Sequence, residues 1–211
     1  MITLHYSPGT ASLLPHALLN EIGQPFELAL VDTQAGQQRS AAYLALNPNG
    51  HVPTLVDGGI VVYETAAIAL HLVDRFPEAG LAPAVGSPAR THFYRWMVHL
   101  ANTVQAGMRT FFYPEQHVEN PAHVADVKRT AEKRLGEAFA RIDAQLGAGP
   151  YLLGAEYSAA DPYLFMLVRW SRNFERPARL LPNIARHVER VLARAAVRQT
   201  LAREGIGEPF V

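Results

Sequence analysis

The feature that most constrains this chain is a change of period. Over the first 80 residues, short apolar runs switch between a two-residue repeat and a helical one; after a Gly/Pro-rich stretch the repeat is almost wholly helical. Ile2-Thr3-Leu4-His5-Tyr6 reads as a strand with apolar positions 2, 4 and 6. Residues 12–22 read as a helix with Leu14, Leu18 and Ile22 on one face and Gly23 as its C′ residue. Pro15 is tolerated only in a first turn, where its missing N–H has no intrahelical partner, so this helix should begin near Ala11 or Ser12. Residues 26–31 read as a strand, and residues 40–46 as a short helix ended by the turn Asn47-Pro48-Asn49-Gly50. Thr54-Leu55-Val56 and Ile60-Val61-Val62-Tyr63 flank Asp57-Gly58-Gly59, a hairpin signal. Residues 65–76 are helical, with Ile68, Leu72 and Phe76 on one face. The order is therefore βαβ, then α, then ββα.

Residues 77–88 hold five Gly or Pro in twelve positions, the best linker candidate in the chain. Beyond it, residues 89–112 carry Phe93, Trp96 or Met97, Leu100 and Val104 at helical spacing. Asn120-Pro121 reads as an N-cap followed by proline at N1, opening a helix that runs toward Leu146. Residues 158–174 and 182–204 are further helical stretches. The boundaries that follow are an α/β domain over residues 1–78, a linker over 79–88 and an all-helical domain over 89–211.

Composition removes several chemistries. The chain has no cysteine, which excludes disulfides, thiolate-ligated zinc, iron–sulfur clusters and a cysteine nucleophile. The nine histidines form no HExxH or similar metal spacing, and neither a phosphate-binding glycine loop nor a nucleophile elbow occurs. A pI near 7.2 argues against nucleic acid as a partner. No apolar run is long enough for a membrane span, and the N-terminus lacks the basic start of a signal peptide, so a soluble cytoplasmic protein is expected. Charge is balanced overall but segregated: residues 1–80 carry two Arg against seven acids, whereas residues 169–211 carry nine Arg against four Glu.

Three segments could carry chemistry. Tyr6-Ser7-Pro8-Gly9-Thr10-Ala11-Ser12 joins a strand to a helix start, which puts the Ser12 hydroxyl and free N–H groups at a helix N-terminus that favours an anion. Ser12 would equally serve as a plain N-cap. His51-Val52-Pro53 precedes a short strand, and Tyr63-Glu64-Thr65 sets an acid and a hydroxyl where a strand meets a helix.

Together these segments, with the Asn-Pro-x-Gly-x-Val-Pro block at residues 47–53, Glu64-Thr65 followed by Ala67-Ile68, and Tyr157-Ser158-Ala159-Ala160-Asp161 with Tyr163-Leu164-Phe165, carry a resemblance. In order and spacing the chain resembles the cytosolic glutathione transferase family along essentially its whole length, with its nearest likeness to the bacterial beta class. The resemblance implies a thioredoxin-like N-terminal domain plus an all-α C-terminal domain, a cis Val52–Pro53 bond, a homodimer and a detoxifying enzyme with glutathione as cosubstrate and no metal. It implies that Val52 and Pro53 present the backbone that pairs with the peptide, that Glu64 and Thr65 hold the γ-glutamyl end, and that His51 contacts the glycyl carboxylate. Ser12 would face the sulfur, with Thr10 or Tyr6 as alternatives. Tyr6, Arg109, Phe112, Tyr113 and Trp170 would line the pocket for a small hydrophobic electrophile. Two positions depart from the beta class: Ala11 stands where that class carries a cysteine, and Gln105 aligns with its histidine. Ser158 and Asp161 read as a capping box with a folding role. The alternative reading is a non-catalytic glutathione-binding or protein-interaction member of the fold, or another glutathione-dependent reaction such as dehalogenation, isomerisation or peroxide reduction.

Overall fold

A computed structural model describes residues 1–211. They form two compact units: residues 1–82 with 192–210, and residues 83–191 with 211. No helix is long and apolar enough to cross a membrane.

The first unit contains β1 (Ile2–Tyr6), α1 (Leu13–Ile22), β2 (Phe26–Leu30), α2 (Ala41–Leu44), β3 (Thr54–Asp57), β4 (Ile60–Tyr63) and α3 (Thr65–Arg75). The sheet order is β2-β1-β3-β4. β1 runs parallel to β2 and antiparallel to β3, and β4 returns antiparallel to β3. A parallel pair needs a crossover, which α1 supplies. Leu4 on β1 is in register with Leu28 on one side and Leu55 on the other. Leu4, Leu14, Leu18, Leu55, Ile68 and Leu72 are wholly buried, each burial contributing roughly 1.5–3 kcal/mol. The alternating periods predict the βαβ, α, ββα order, and the arrangement is the thioredoxin-like one that the family resemblance implies.

The second unit contains α4 (Pro88–His99), a π-helical stretch (Leu100–Gln105), α5 (Ala106–Phe112), α6 (Val124–Leu146), α7 (Ala160–Trp170) and α8 (Pro182–Leu192). Ser87 opens α4 by accepting from the Arg90 N–H, with Pro88 at N1. The pattern over residues 89–112 reads as one helix; the structure inserts the π stretch in its middle, a local widening that periodicity alone does not register. α7 is buried on every side from Ala160 to Val168, as expected of a helix apolar all round. Asp161 anchors its start: its carboxylate accepts from the Ser158 N–H at 2.8 Å, the Ser158 hydroxyl at 3.2 Å and the Leu152 N–H at 3.0 Å. Gly107 lets α5 approach α6, since a Cβ there would stand 2.9 Å from Leu135 Cδ2.

The helical pattern over residues 182–204 breaks at Arg194, whose backbone is extended, and resumes as α9 (Ala195–Arg203). α9 packs on α1, so residues 192–210 group with the sheet rather than with the helices that precede them in sequence. Asn20 donates to the Thr200 hydroxyl at 2.7 Å, and Arg194 grips the Glu21 carboxylate through two nitrogens at 2.5 and 2.9 Å. The Arg203 guanidinium lies over the Phe26 ring at 5.1 Å. The segregated charges therefore meet here: a basic tail lies on an acidic first unit.

Candidate functional site

Strand direction gathers the three candidate segments. β1 ends at Tyr6, β3 begins at Thr54 and β4 ends at Tyr63; the register sets His5 beside Thr54 and Thr54 beside Tyr63. The turn after β1, the loop before β3 and the start of α3 therefore emerge at one end of the sheet. A direct contact joins two of them: the Thr65 hydroxyl donates to the Ala11 carbonyl at 3.0 Å.

In the turn from Ser7 to Ser12, Ser12 is fully buried and makes no N-cap bond. Its Oγ donates to the Ser7 carbonyl at 2.9 Å and accepts from the Ser7 N–H at 3.2 Å. The chain folds back over itself here, so the hydroxyl closes the turn instead of capping the helix. Thr10 is half-buried; its Oγ1 donates to the same Ser7 carbonyl at 2.7 Å and lies 3.0 Å from Ser12 Oγ. Tyr6 is also half-buried, its ring edge-on to His16 with centroids 5.9 Å apart.

The turn is held from behind by two residues that the sequence reading passes over. The Glu204 carboxylate, just past the end of α9, accepts from the Gly9 N–H at 2.8 Å through one oxygen and meets His16 Nδ1 at 2.8 Å through the other. Both side chains are wholly buried, and His16 Nε2 has no partner. One available signal is His16 itself, a polar residue amid the buried run Leu13–Leu19 of α1. Glu204 offers no local signal.

The loop before β3 is braced in the same way. The Tyr43 hydroxyl and the Asn47 amide both donate to the His51 carbonyl at 2.8 Å. Burial pushes the Tyr43 phenol above its usual range, partly offset by hydrogen bonds with Thr54 and Asn47, so it remains a donor. Gly50 has φ +60°, and a Cβ there would meet Arg39 at 2.8 Å and the Gln38 carbonyl at 3.0 Å, so only glycine fits. The Val52–Pro53 bond is cis, and Val52 makes no backbone hydrogen bond within the chain, which leaves its peptide groups open to an extended ligand. His51 and Glu64 are exposed, while Pro53 and Thr65 are buried.

Glu64 has φ +72° and ψ 116°, the chain's one non-glycine residue at positive φ. Such a backbone costs of order 1–3 kcal/mol and concentrates at functional sites. It turns the strand sharply into α3, whose first N–H groups lack intrahelical acceptors. An exposed acid beside those donors suits a ligand end carrying both an ammonium and a carboxylate.

The remaining candidates lie on the helical unit. The Phe112 and Trp170 rings meet edge-on with centroids 6.2 Å apart, and the Arg109 guanidinium sits 5.8 Å from the Tyr113 ring centre. Phe112 is 40% exposed and Tyr113 47%, an unusual exposure for two adjacent aromatics. Gln105, at the end of the π stretch, accepts a hydrogen bond from the Tyr163 hydroxyl. No group of three or more His, Cys, Asp or Glu side chains is gathered as a metal would need.

The family "Glutathione S-transferase, N-terminal domain" matches residues 12–75, and "Glutathione S-transferase, C-terminal domain" matches residues 115–190. Glutathione S-transferase GstA of Escherichia coli O157:H7 is 30% identical over 205 residues, covering 96% of this chain and 98% of that one. A glutathione transferase homologue from Sulfitobacter, solved with bound glutathione, superposes with a TM-score of 0.89 at 27% identity, covering 98% of this chain and 99% of that one. The bacterial beta class enzyme of Sphingomonas chungbukensis gives a TM-score of 0.85 at 28% identity, covering 97% of this chain and all of that one. With the fold, the gathered segments and these likenesses in agreement, the chain is an enzyme that belongs to the glutathione S-transferase family.

Proposed function

We propose that the enzyme joins glutathione, through its thiolate, to small hydrophobic electrophiles, and that it works as a cytoplasmic homodimer in detoxification. The observation that carries the site is the convergence of the Tyr6–Ser12 turn, Val52 and the Glu64–Thr65 corner at one end of the sheet, tied by the bond from Thr65 to Ala11. Val52 pairs with the cysteinyl backbone of the tripeptide. Glu64 takes the ammonium, and the first N–H groups of α3 take the γ-glutamyl carboxylate. His51, exposed beside the cis bond, meets the glycyl carboxylate.

Of the three candidate hydroxyls, Tyr6, Thr10 and Ser12, we assign the thiolate to Thr10. Ser12 is sealed and committed to both peptide groups of Ser7, so it holds the turn rather than the ligand. Thr10 is half-buried and needs only to rotate its proton from the Ser7 carbonyl to the sulfur. A free thiol titrates near 8.5; a donor that stabilises the thiolate lowers that value, and each unit is about 1.4 kcal/mol and about tenfold more nucleophile. The thiolate then attacks an aryl halide carbon, the C–S bond forms, and halide leaves with its electron pair. The electrophile rests on the exposed Phe112–Trp170 edge, with the Arg109–Tyr113 pair on the same helical unit.

Glu64→Ala with Thr65→Ala should abolish retention on immobilised glutathione; unchanged retention refutes the binding assignment. In conjugation of 1-chloro-2,4-dinitrobenzene, Thr10→Ala should raise the thiol pKa seen in the pH–rate profile, whereas Ser12→Ala should chiefly lower the melting temperature. A raised kinetic pKa in Ser12→Ala or Tyr6→Phe, and not in Thr10→Ala, overturns the assignment of the hydroxyl.

A further inference from the structure

On the helical unit, one stripe of helix carries three unlike side chains. Gln105, the last residue of the π stretch, is followed at i+4 by Arg109 and at i+7 by Phe112, so the three succeed one another along one face. Trp170 of α7 meets the Phe112 ring edge-on at 6.2 Å. Residues 100–113 hold no acid, and Arg109 is the one charged residue among them. Its side chain is exposed and enters no ion pair or hydrogen bond; the guanidinium lies 5.8 Å from the Tyr113 ring centre. Gln105 is half-buried and pinned from inside, because the wholly buried Tyr163 donates its hydroxyl to the Gln105 Oε1. With that oxygen engaged, the amide has its NH₂ left to offer, and this group donates to nothing in the chain.

A neutral ring needs neither donor. Stacking on Phe112 and Trp170 alone would accept any flat apolar molecule. A solvated guanidinium over an exposed tyrosine is common on protein surfaces, but that reading leaves the pinned amide without a purpose. It also leaves the π stretch unexplained, a rare geometry that concentrates at functional sites and ends here on Gln105. Gln105 and Arg109 stand about one turn apart, roughly 5.4 Å along the axis, within reach of one planar group. A carboxylate suits both: the guanidinium fork takes its two oxygens, and the Gln105 NH₂ adds a third donor.

The geometry points to a substrate class, aryl halides that carry a carboxylate on the ring, with Arg109 as the residue that selects for it and Gln105 as a second donor. This rests on the conjugation proposed above and narrows its electrophile. The ring lies on the Phe112–Trp170 edge and the carboxylate on Arg109. The C–S bond forms at the halide-bearing carbon, halide leaves with its electron pair, and the carboxylate keeps its charge throughout. Since that charge is the same in the bound substrate and in the transition state, Arg109 contributes uniform binding, and its loss should raise KM rather than lower kcat.

Steady-state conjugation tests this with two matched probes, 4-chloro-3-nitrobenzoate and the neutral 4-chloro-3-nitrobenzamide. Arg109→Gln should raise KM for the acid about fivefold or more beyond any rise for the amide, since a bidentate pair with a carboxylate exceeds a plain exposed one. Added salt should raise KM for the acid in the wild type and have little effect on it in Arg109→Gln. Arg109→Lys keeps the charge without the fork and should fall between the two. Gln105→Glu keeps an acceptor for the Tyr163 hydroxyl but sets a carboxylate where the amide donor stood, so it too should raise KM for the acid more than for the amide. Equal changes for acid and amide in Arg109→Gln, or a change confined to kcat, overturn the inference and leave the conjugation reading standing. Turnover of 1-chloro-2,4-dinitrobenzene without turnover of the acid does the same. Turnover of none of the three refutes conjugation itself, and the substrate class falls with it.

Discussion

Glu204 is the sharpest test of how the Ser7–Ser12 turn is held. Its carboxylate offers an acceptor on each oxygen, one for the Gly9 N–H and one for His16 Nδ1, both at 2.8 Å. Glu204→Gln keeps the shape but turns one acceptor into a donor. If the remaining oxygen serves Gly9, the new NH₂ faces Nδ1, and His16 can accept from it only by moving its proton to Nε2, which is buried and has no partner. The variant therefore leaves one buried donor unsatisfied, at about 1–3 kcal/mol. Glu204→Ala removes both charge-assisted bonds, at roughly 3–6 kcal/mol. At about 2–4 °C per kcal/mol for a chain of this size, the melting temperature should fall by about 2–12 °C for Gln and further for Ala. Loosening the Gly9 peptide also shifts Thr10, so KM for glutathione should rise more than kcat falls. Differential scanning calorimetry and steady-state conjugation read the two effects. A Gln variant equal to the wild type in both melting temperature and KM refutes the bracing role.

Two other perturbations follow from single contacts. Burial alone would raise the Asp57 carboxyl, but its bond to His71 and the nearby Arg75 outweigh burial and hold it below its ordinary 3.8. A depressed carboxylate adds stability that is present above its unfolded pKa and lost as pH falls through the folded one. The wild type should therefore lose stability to urea below about pH 4, and His71→Gln should flatten that slope; equal slopes refute the pairing. Gly107→Ala places a methyl 2.9 Å from Leu135 Cδ2 and should cost about 1–3 kcal/mol by overpacking α5 on α6, unless trimming Leu135→Ala in the same chain restores the lost increment. A single variant as stable as the wild type would show that Leu135 simply swings away.

The elements readable in the sequence are those whose signal is local. The inward-facing Leu4 of β1 follows from two-residue alternation, and the hairpin at Asp57–Ile60 from its glycines, whereas the pairing of Leu4 with Leu28 and Leu55 comes from the fold. The Ser158–Asp161 pair spans one helical turn, so its contact could be read directly, although both the Ser158 N–H and its hydroxyl donate to the Asp161 carboxylate, with no return bond to the serine hydroxyl from the Asp161 N–H. The π stretch at Leu100–Gln105 escapes notice because Leu100 and Val104 still face inward, as an uninterrupted helix would have them. α9 escapes for a different reason. Its residues read as helix, but nothing in their order says that Thr200 and Arg194 reach Asn20 and Glu21.

Ser12 shows where such reading ends. A serine before an apolar helix signals a cap or a donor, and both readings assume that its hydroxyl is free to act. Availability depends on what else competes for that oxygen. Here the competitor is the Ser7 peptide, brought into reach by a reversal of five residues. That reversal is in turn held by a carboxylate 195 positions away. Local composition therefore singles out the turn, while which of its hydroxyls is free to act rests on the tertiary fold. Thr10 and Ser12 are two positions apart with the same functional group, and only the half-buried one can turn toward a ligand. If Thr10 meets the sulfur as proposed, substituting Glu204 should move the thiol pKa in the wild-type background and leave it unmoved in Thr10→Ala; an equal shift in both backgrounds refutes that assignment.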